Sequence, residues 1–179
     1  MINFMRANKG PDSDIGQLCE PLPSGLTMVE VGSFAGESML IFANSGKFNN
    51  IYCVDAWDAS IYDPWCKQFN PKDVEESFDA RWKNVQKLLP ITIYKYKGLS
   101  VDASESFADN MFDLIYIDAL HDHASVVTDL KAWLPKLKPG GIISGHDYAH
   151  GVRSAVHEVI GEPDNVYCCI TWAKTIYKS

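Results

Sequence analysis

The hydrophobic pattern of this 179-residue chain switches repeatedly between two periods, and that alternation restricts the fold more than any other feature. Short apolar runs, rich in β-branched and aromatic residues, occupy residues 26–31, 51–54, 91–96, 112–117 and 142–144. Such runs, with few polar interruptions, are how a strand reads when helices cover both of its faces. The stretches between them have helical spacing. Residues 37–44 follow the first run and stop at Gly46, a C-cap residue. Val74, Phe78, Trp82, Val85 and Leu89 form one stripe that Pro90 ends. A short helix is expected at 101–107. Val126, Val127, Leu130, Trp133 and Leu134 make a further stripe, closed by Lys136, Lys138 and Pro139-Gly140-Gly141. The last helix is expected at 152–160, ended by Gly161 and Pro163.

Strand alternating with helix predicts an α/β fold, a Rossmann-like, doubly wound, mostly parallel sheet. The tail differs. Residues 166–170 and 172–177 are strand-like runs with almost nothing between them, and so short a connection forces an antiparallel hairpin at the end of the sheet. One domain is expected over 1–179. Residues 1–25 form an N-terminal leader with a short helix near 13–19, and residues 26–179 form the core. A chain of this length buries roughly 70% of the surface that its unfolded form exposes. Residues 56–73 are the longest irregular stretch and hold Trp57, Tyr62, Trp65 and Phe69. They read equally as a substrate wall and as a satellite core.

Composition excludes several classes. The net charge of -7, with basic residues interleaved among acids and aromatics, leaves no Lys/Arg cluster to displace counterions from phosphates, so no nucleic-acid partner is expected. No run approaches the ~20 apolar residues of a membrane span, so no membrane partner is expected. No secretory signal is visible, and the five cysteines (Cys19, Cys53, Cys66, Cys168, Cys169) contain no CxxC pair. Buried thiols in a reducing, cytoplasmic setting are the expectation.

Open α/β sheets bind ligands outside the carboxyl ends of their strands. After the first strand comes Glu30-Val31-Gly32-Ser33-Phe34-Ala35-Gly36-Glu37-Ser38, a turn with glycines at both ends that leads into a helix N-terminus with free N–H groups. Its G-x-x-x-G spacing lacks the middle glycine of dinucleotide folds, which favours a smaller anion such as an amino-acid carboxylate over a pyrophosphate. Asp55 ends the second strand, where an acid can accept hydrogen bonds from ribose hydroxyls. Gly98-Leu99-Ser100 follows the third, and Ser100 can meet a base edge or cap the next helix. The fourth is followed by Asp118-Ala119-Leu120-His121-Asp122-His123 and the fifth by Gly145-His146-Asp147-Tyr148. Asp118, His146 and Asp147 are candidate ligands for a divalent metal. His121 is a candidate general base.

Taken in order, these residues resemble the class I S-adenosylmethionine-dependent methyltransferases. The strings Phe112-Asp113-Leu114-Ile115-Tyr116-Ile117-Asp118, Asp129-Leu130-Lys131-Ala132-Trp133-Leu134-Pro135, Leu137-Lys138-Pro139-Gly140-Gly141 and Gly145-His146-Asp147-Tyr148 are similar to a branch that O-methylates small molecules and saccharides. The resemblance implies that Gly32, Ser33 and Gly36 line the methionine part of S-adenosyl-L-methionine, that Ser38 meets its carboxylate, and that Glu30 helps hold its amino end. It implies Asp55 at the ribose and Ser100 at the adenine edge, with Phe34, Ala56, Trp57 and Asp118 also among the cofactor-binding residues. Catechol-type relatives hold Mg2+ or another divalent cation on an acid matching Asp118 and an acid–amide pair matching His146 and Asp147; His146 departs from that pattern. Their lysine base corresponds in place to His121. Asp118, His121 and His146 are therefore the expected catalytic residues. The N-terminal cap of many relatives is nearly absent, so residues 56–73, the leader or a second copy in a homodimer would cover a small-molecule acceptor. A non-catalytic cofactor binder, a nicotinamide-dependent reductase and a hydroxylase-type relative are the competing readings.

Overall fold

The structure, a computed structural model, describes residues 12–62, 64–168 and 170–178. Residues 1–11 of the expected leader and Cys169 lie outside the described residues. In chain order the elements are α1 (Asp14–Cys19), β1 (Leu26–Val31), α2 (Glu37–Asn44), β2 (Phe48–Asp55), α3 (Pro71–Leu88), β3 (Thr92–Lys97), α4 (Ser100–Glu105), β4 (Phe112–Ile117), α5 (His123–Trp133), β5 (Leu137–Gly145), α6 (His150–Ile160), β6 (Asn165–Tyr167) and β7 (Thr171–Ile176).

The strands form one seven-stranded sheet in the order β3-β2-β1-β4-β5-β7-β6. The first five are mutually parallel, and β7 runs antiparallel to both β5 and β6. The expected hairpin is thus present, with its second strand inserted next to β5. The strand order reverses between β1 and β4, which opens a crevice above the ends of those two strands.

Alternation along each strand feeds two cores. Met28 and Leu114 point into one that holds Met39, Phe42 and Phe78 from α2 and α3; Val29 and Ile115 point into the other, with Val126, Trp133, Val152 and Ala155 from α5 and α6. Local chemistry sets the helix boundaries. The Asn70 side chain accepts from the Lys72 amide at the start of α3, with Pro71 at its first position, and the Asp122 side chain accepts from the Ser125 amide at the start of α5.

Several boundaries differ from the sequence expectation, most by one or two residues and three by more than that or for a visible reason. Pro139-Gly140-Gly141, expected to close a helical segment, lies inside β5. There the β4–β5 register jumps from Phe112↔Leu137 to Leu114↔Ile142, so these residues loop out as an irregularity that a proline and a glycine at φ +76° tolerate. β2 begins at Phe48, three residues earlier than the apolar run. β6 stops at Tyr167 because Cys168 turns the chain at φ +47°. The thiols of Cys19 and Cys53 are buried as expected, and burial pushes the pKa of Cys19 up to about 12 and that of Cys53 upward too; Cys168 is exposed. Among the described residues no helix is long and apolar enough to cross a membrane.

Candidate functional site

A pocket of about 890 Å³ opens where the strand order reverses, at the carboxyl ends of β1, β2, β4 and β5. That volume lies toward the upper end of ordinary small-molecule sites, ~300–1,000 Å³. Gly32, Ser33, Phe34, Ser38, Asp55, Ala56, Ser100, Asp118, His121, His146 and Asp147 all line it. Glu30, Gly36 and Trp57 do not. Glu30 is wholly buried beneath the turn, and Trp57 is buried against Phe78, their ring centroids 5.1 Å apart.

The glycine turn is held by protein. Gly32 sits at φ +94°, and a Cβ there would stand 2.1 Å from the Asp118 carbonyl oxygen. The glycine is therefore demanded by the backbone that leaves the end of the neighbouring strand β4, and not by a ligand alone. Gly36, the left-handed N-cap of α2, would push a Cβ to 2.9 Å from the Phe78 ring. The buried Arg81 guanidinium of α3 donates to the Ala35 carbonyl at 2.7 Å and lies 3.5 Å from the Glu37 carboxylate, tying the turn to α3.

Asp55 clamps the turn from the side. One carboxylate oxygen accepts from the Phe34 amide at 2.8 Å and the other from the Trp57 amide at 2.7 Å. The Trp57 indole N–H closes the ring by donating to the Phe34 carbonyl at 2.8 Å. Phe34 and Trp57 both have positive φ, +43° and +46°. Non-glycine residues in that region cost ~1–3 kcal/mol each, so the carboxylate holds two strained residues in place. Burial raises the Asp55 pKa, and the Trp57 and Phe34 amides oppose it. A carboxylate offers about four acceptor positions, so Asp55 keeps accepting capacity beyond these amides.

The aromatic stretch after β2 contributes both to a satellite core and to the pocket wall. Tyr62 and Phe69 pack edge-on against Phe34, at 5.6 and 6.0 Å between centroids, as a satellite core. Ile61, Tyr62, Trp65 and Cys66 also form pocket wall. The Tyr62 hydroxyl is buried there with no hydrogen-bond partner among the described residues.

At the ends of β4 and β5 four titratable side chains converge. His121 Nε2 lies 3.2 Å from Asp147 Oδ2 and 3.5 Å from Asp118 Oδ1. His146 Nδ1 lies 3.4 Å from Asp147 Oδ1 and 3.8 Å from Asp118 Oδ1, while its Nε2 is 3.4 Å from Asp14 of α1. Asp147 holds its place at φ +51°. Asp118, His121 and Asp147 each offer a ligand atom within 4.8 Å of the other two, so the compact metal-type group takes His121 where the sequence pointed to His146.

Ser100 differs from expectation in its side chain. It caps nothing: its hydroxyl donates to Asp129 Oδ1 and accepts from the Trp133 indole N–H at 3.0 Å. Sequence reasoning passed over Asp129, the Glu37–Arg81 pair and Asp14. Two signals were available. Asp129 lies three residues after Val126 and four before Trp133, and Arg81 lies three after Phe78 and four before Val85, so each puts a charge on a buried helical stripe. Asp14 carries no such mark, because only the docking of α1 brings it to His146.

Comparison with known proteins supplies the family. The chain is 26% identical over 145 residues to an uncharacterised protein of Acanthamoeba polyphaga mimivirus, covering 76% of this chain and 60% of that one. The chain thus spans less than two thirds of that relative's length. Among solved structures, a protein from Corynebacterium glutamicum superposes with a TM-score of 0.65 at 14% identity, covering 95% of this chain and 83% of its own. A SAM-dependent methyltransferase from Archaeoglobus fulgidus superposes with a TM-score of 0.52 at 12% identity, covering 75% of this chain and 50% of its own. These likenesses show the class I methyltransferase fold. A family profile described as a methyltransferase domain matches residues 29–148, which run from β1 through the loop after β5 and hold every residue of the glycine turn, the Asp55 clamp and the acid–imidazole cluster except Asp14. The chain belongs to that methyltransferase-domain family.

Proposed function

We propose that this chain transfers a methyl group from S-adenosylmethionine to a hydroxyl oxygen of a small, polar or sugar-like acceptor. The observation that carries the reading is the joint placement of the Asp55 clamp and the acid–imidazole cluster along one pocket, with the α2 N-terminus between β1 and β2 turned toward it. When bound, the cofactor supplies an electrophilic methyl group on a sulfonium. The chain's residues do the rest. The first-turn N–H groups at Glu37 and Ser38 suit the methionine carboxylate. Asp55 has accepting capacity left for ribose hydroxyls, and the Tyr62 hydroxyl in the same wall has no partner among the described residues. Alignment of acceptor oxygen, methyl carbon and sulfur contributes several kcal/mol, up to ~7–11 in ideal cases.

His121 takes the proton that the acceptor hydroxyl loses as the new O–C bond forms. The carboxylates of Asp118 and Asp147 on either side stabilise the resulting imidazolium. His121→Ala should lower kcat by roughly 100-fold or more, the usual contribution of general acid–base catalysis. Unchanged turnover would exclude the role. Product mass separates methyl transfer from hydroxylation, since one adds a methylene and the other an oxygen.

A divalent cation on the same cluster is the second reading, favoured by the 4.8 Å grouping of Asp118, His121 and Asp147, with His146 beside it. Two carboxylates and an imidazole suit Mn²⁺, Fe²⁺ or Zn²⁺ better than all-oxygen Mg²⁺ sites do. It requires calorimetric binding of the metal ion alone, lost in Asp118→Asn. Full activity in excess EDTA, with no metal by elemental analysis, would exclude it.

A further inference from the structure

A cation on β3 stands where the strand's pattern calls for a core residue. Ile93, Lys95 and Lys97 alternate with Thr92, Tyr94 and Tyr96, so the first three share one face of the strand. Ile93 is buried in the core that holds Val74 and Phe78 of α3, and the Lys95 side chain, two residues on, is only 15% exposed. Its ammonium donates to Glu75 at 2.7 Å and to Asp79 at 2.6 Å, one turn apart on α3. β3 is an edge strand, where an inward lysine can serve merely to discourage pairing with another chain.

The cation has a further neighbour. Lys95 Nζ lies over the Trp57 ring, 4.6 Å from its centroid, and 5.8 Å from the centroid of Phe78. Trp57 is 4% exposed and sits at φ +46°, a conformation that persists only where the surroundings over-determine it. Its amide is held by Asp55 and its indole N–H by the Phe34 carbonyl. A cation over the ring face fixes the plane in which that N–H points, and an ammonium shielded from water binds an indole face most firmly. Two carboxylates set where the ammonium stands, so its flexible stem does not. Resting on the S-adenosylmethionine reading, we propose that Lys95 is a positioning residue for the cofactor: pinned by Glu75 and Asp79, it holds the Trp57 indole against the Phe34 carbonyl and keeps the Asp55 clamp in the shape that binds S-adenosylmethionine. Lys95 does not line the pocket and acts through Trp57.

Calorimetry with S-adenosylhomocysteine on the full chain tests this in a cycle of four proteins: the unaltered chain, Lys95→Met, Trp57→Phe and the double variant. Methionine keeps much of the apolar stem and loses the charge. Lys95→Met should weaken binding roughly three- to tenfold in the unaltered chain, the size of a partly desolvated cation–π contact, and change little in Trp57→Phe, where no indole N–H remains to be aimed. Lys95→Arg keeps a cation over the ring and should bind like the unaltered chain. In the protein without ligand, the Trp57 indole N–H, assigned among the five tryptophans by its loss in Trp57→Phe, should exchange with solvent several-fold faster in Lys95→Met. Lys95→Met also deprives two carboxylates of this cation; Glu75→Gln/Asp79→Asn/Lys95→Met removes their charges too and should show the same loss of affinity. An equal loss from Lys95→Met with and without the indole would overturn the proposal, because an edge guard or a strut between α3 and β3 predicts that pattern. Unchanged indole exchange in Lys95→Met would overturn it as well. If S-adenosylhomocysteine fails to bind the unaltered protein, the cofactor reading falls and this inference falls with it; affinity kept in full by Lys95→Met removes this inference alone.

Discussion

Replacing Asp55 by alanine should destabilise the protein even with no ligand present. The substitution leaves the Phe34 and Trp57 amides without the acceptors they now meet at 2.8 and 2.7 Å. An orphaned buried donor costs ~1–3 kcal/mol, so two cost ~2–6 kcal/mol. Two effects offset part of this. The variant no longer buries a carboxylate whose pKa is raised by desolvation, and Phe34 and Trp57 are released from positive φ. A net loss of about 2–4 kcal/mol remains. For a domain of 150–250 residues each kcal/mol lowers Tm by ~2–4 °C, so the melting point should fall by roughly 5–15 °C. Asp55→Asn keeps one oxygen acceptor and should fall between the alanine variant and the parent. Circular dichroism melts of the three apo-proteins read this directly, and calorimetry with S-adenosylhomocysteine should show affinity falling in the same order. An alanine variant that melts within about a degree of the parent would refute the clamp, because the two amides would then be satisfied some other way.

Three further outcomes follow from the same contacts. Gly32→Ala, whose Cβ would stand 2.1 Å from the Asp118 carbonyl oxygen, should yield no folded protein, whereas Gly46→Ala at φ +71° with open space around it should lose only ~1–2 kcal/mol; soluble yield and urea denaturation separate them. Arg81→Ala removes the guanidinium 3.5 Å from the buried Glu37 carboxylate and should cost ~3–5 kcal/mol in urea denaturation; Glu37→Gln/Arg81→Ala should lose less than the sum of the two single changes, and additive losses would deny the pairing. Asp129, at about 6 in the fold against ~3.9 unfolded, keeps a proton that the unfolded chain has released; stability therefore falls as pH rises from ~4 to ~6, by about 3 kcal/mol, and then levels off. That slope should be absent in Asp129→Asn, and superimposable pH profiles for the two proteins would contradict the burial.

The fold was largely legible from local pattern. β1 and β4 coincide with their apolar runs, α2 with its expected span, and the terminal hairpin with two runs too close together to be parallel. Strand boundaries were less legible where backbone pairing overrode composition, as in β5, whose Pro-Gly-Gly segment is carried by a register jump that only the neighbouring strand reveals.

By itself, then, the sequence determined the period of each segment, the layered α/β class that follows from it, and which polar residues stand at the ends of strands. These are short-range properties: a side chain's place along a strand or helix depends on its neighbours in the chain. The tertiary structure alone decided what those strand-end residues face. It made Asp55 a clamp on the glycine turn, because Phe34, 21 positions away, arrives beside it. It assigned the compact metal-type group to His121, turned His146 toward Asp14, and spent the Ser100 hydroxyl on Asp129. Such pairings join residues brought together only when helices pack on a sheet, and a side chain with several hydrogen-bonding options settles on the partner that packing places within reach.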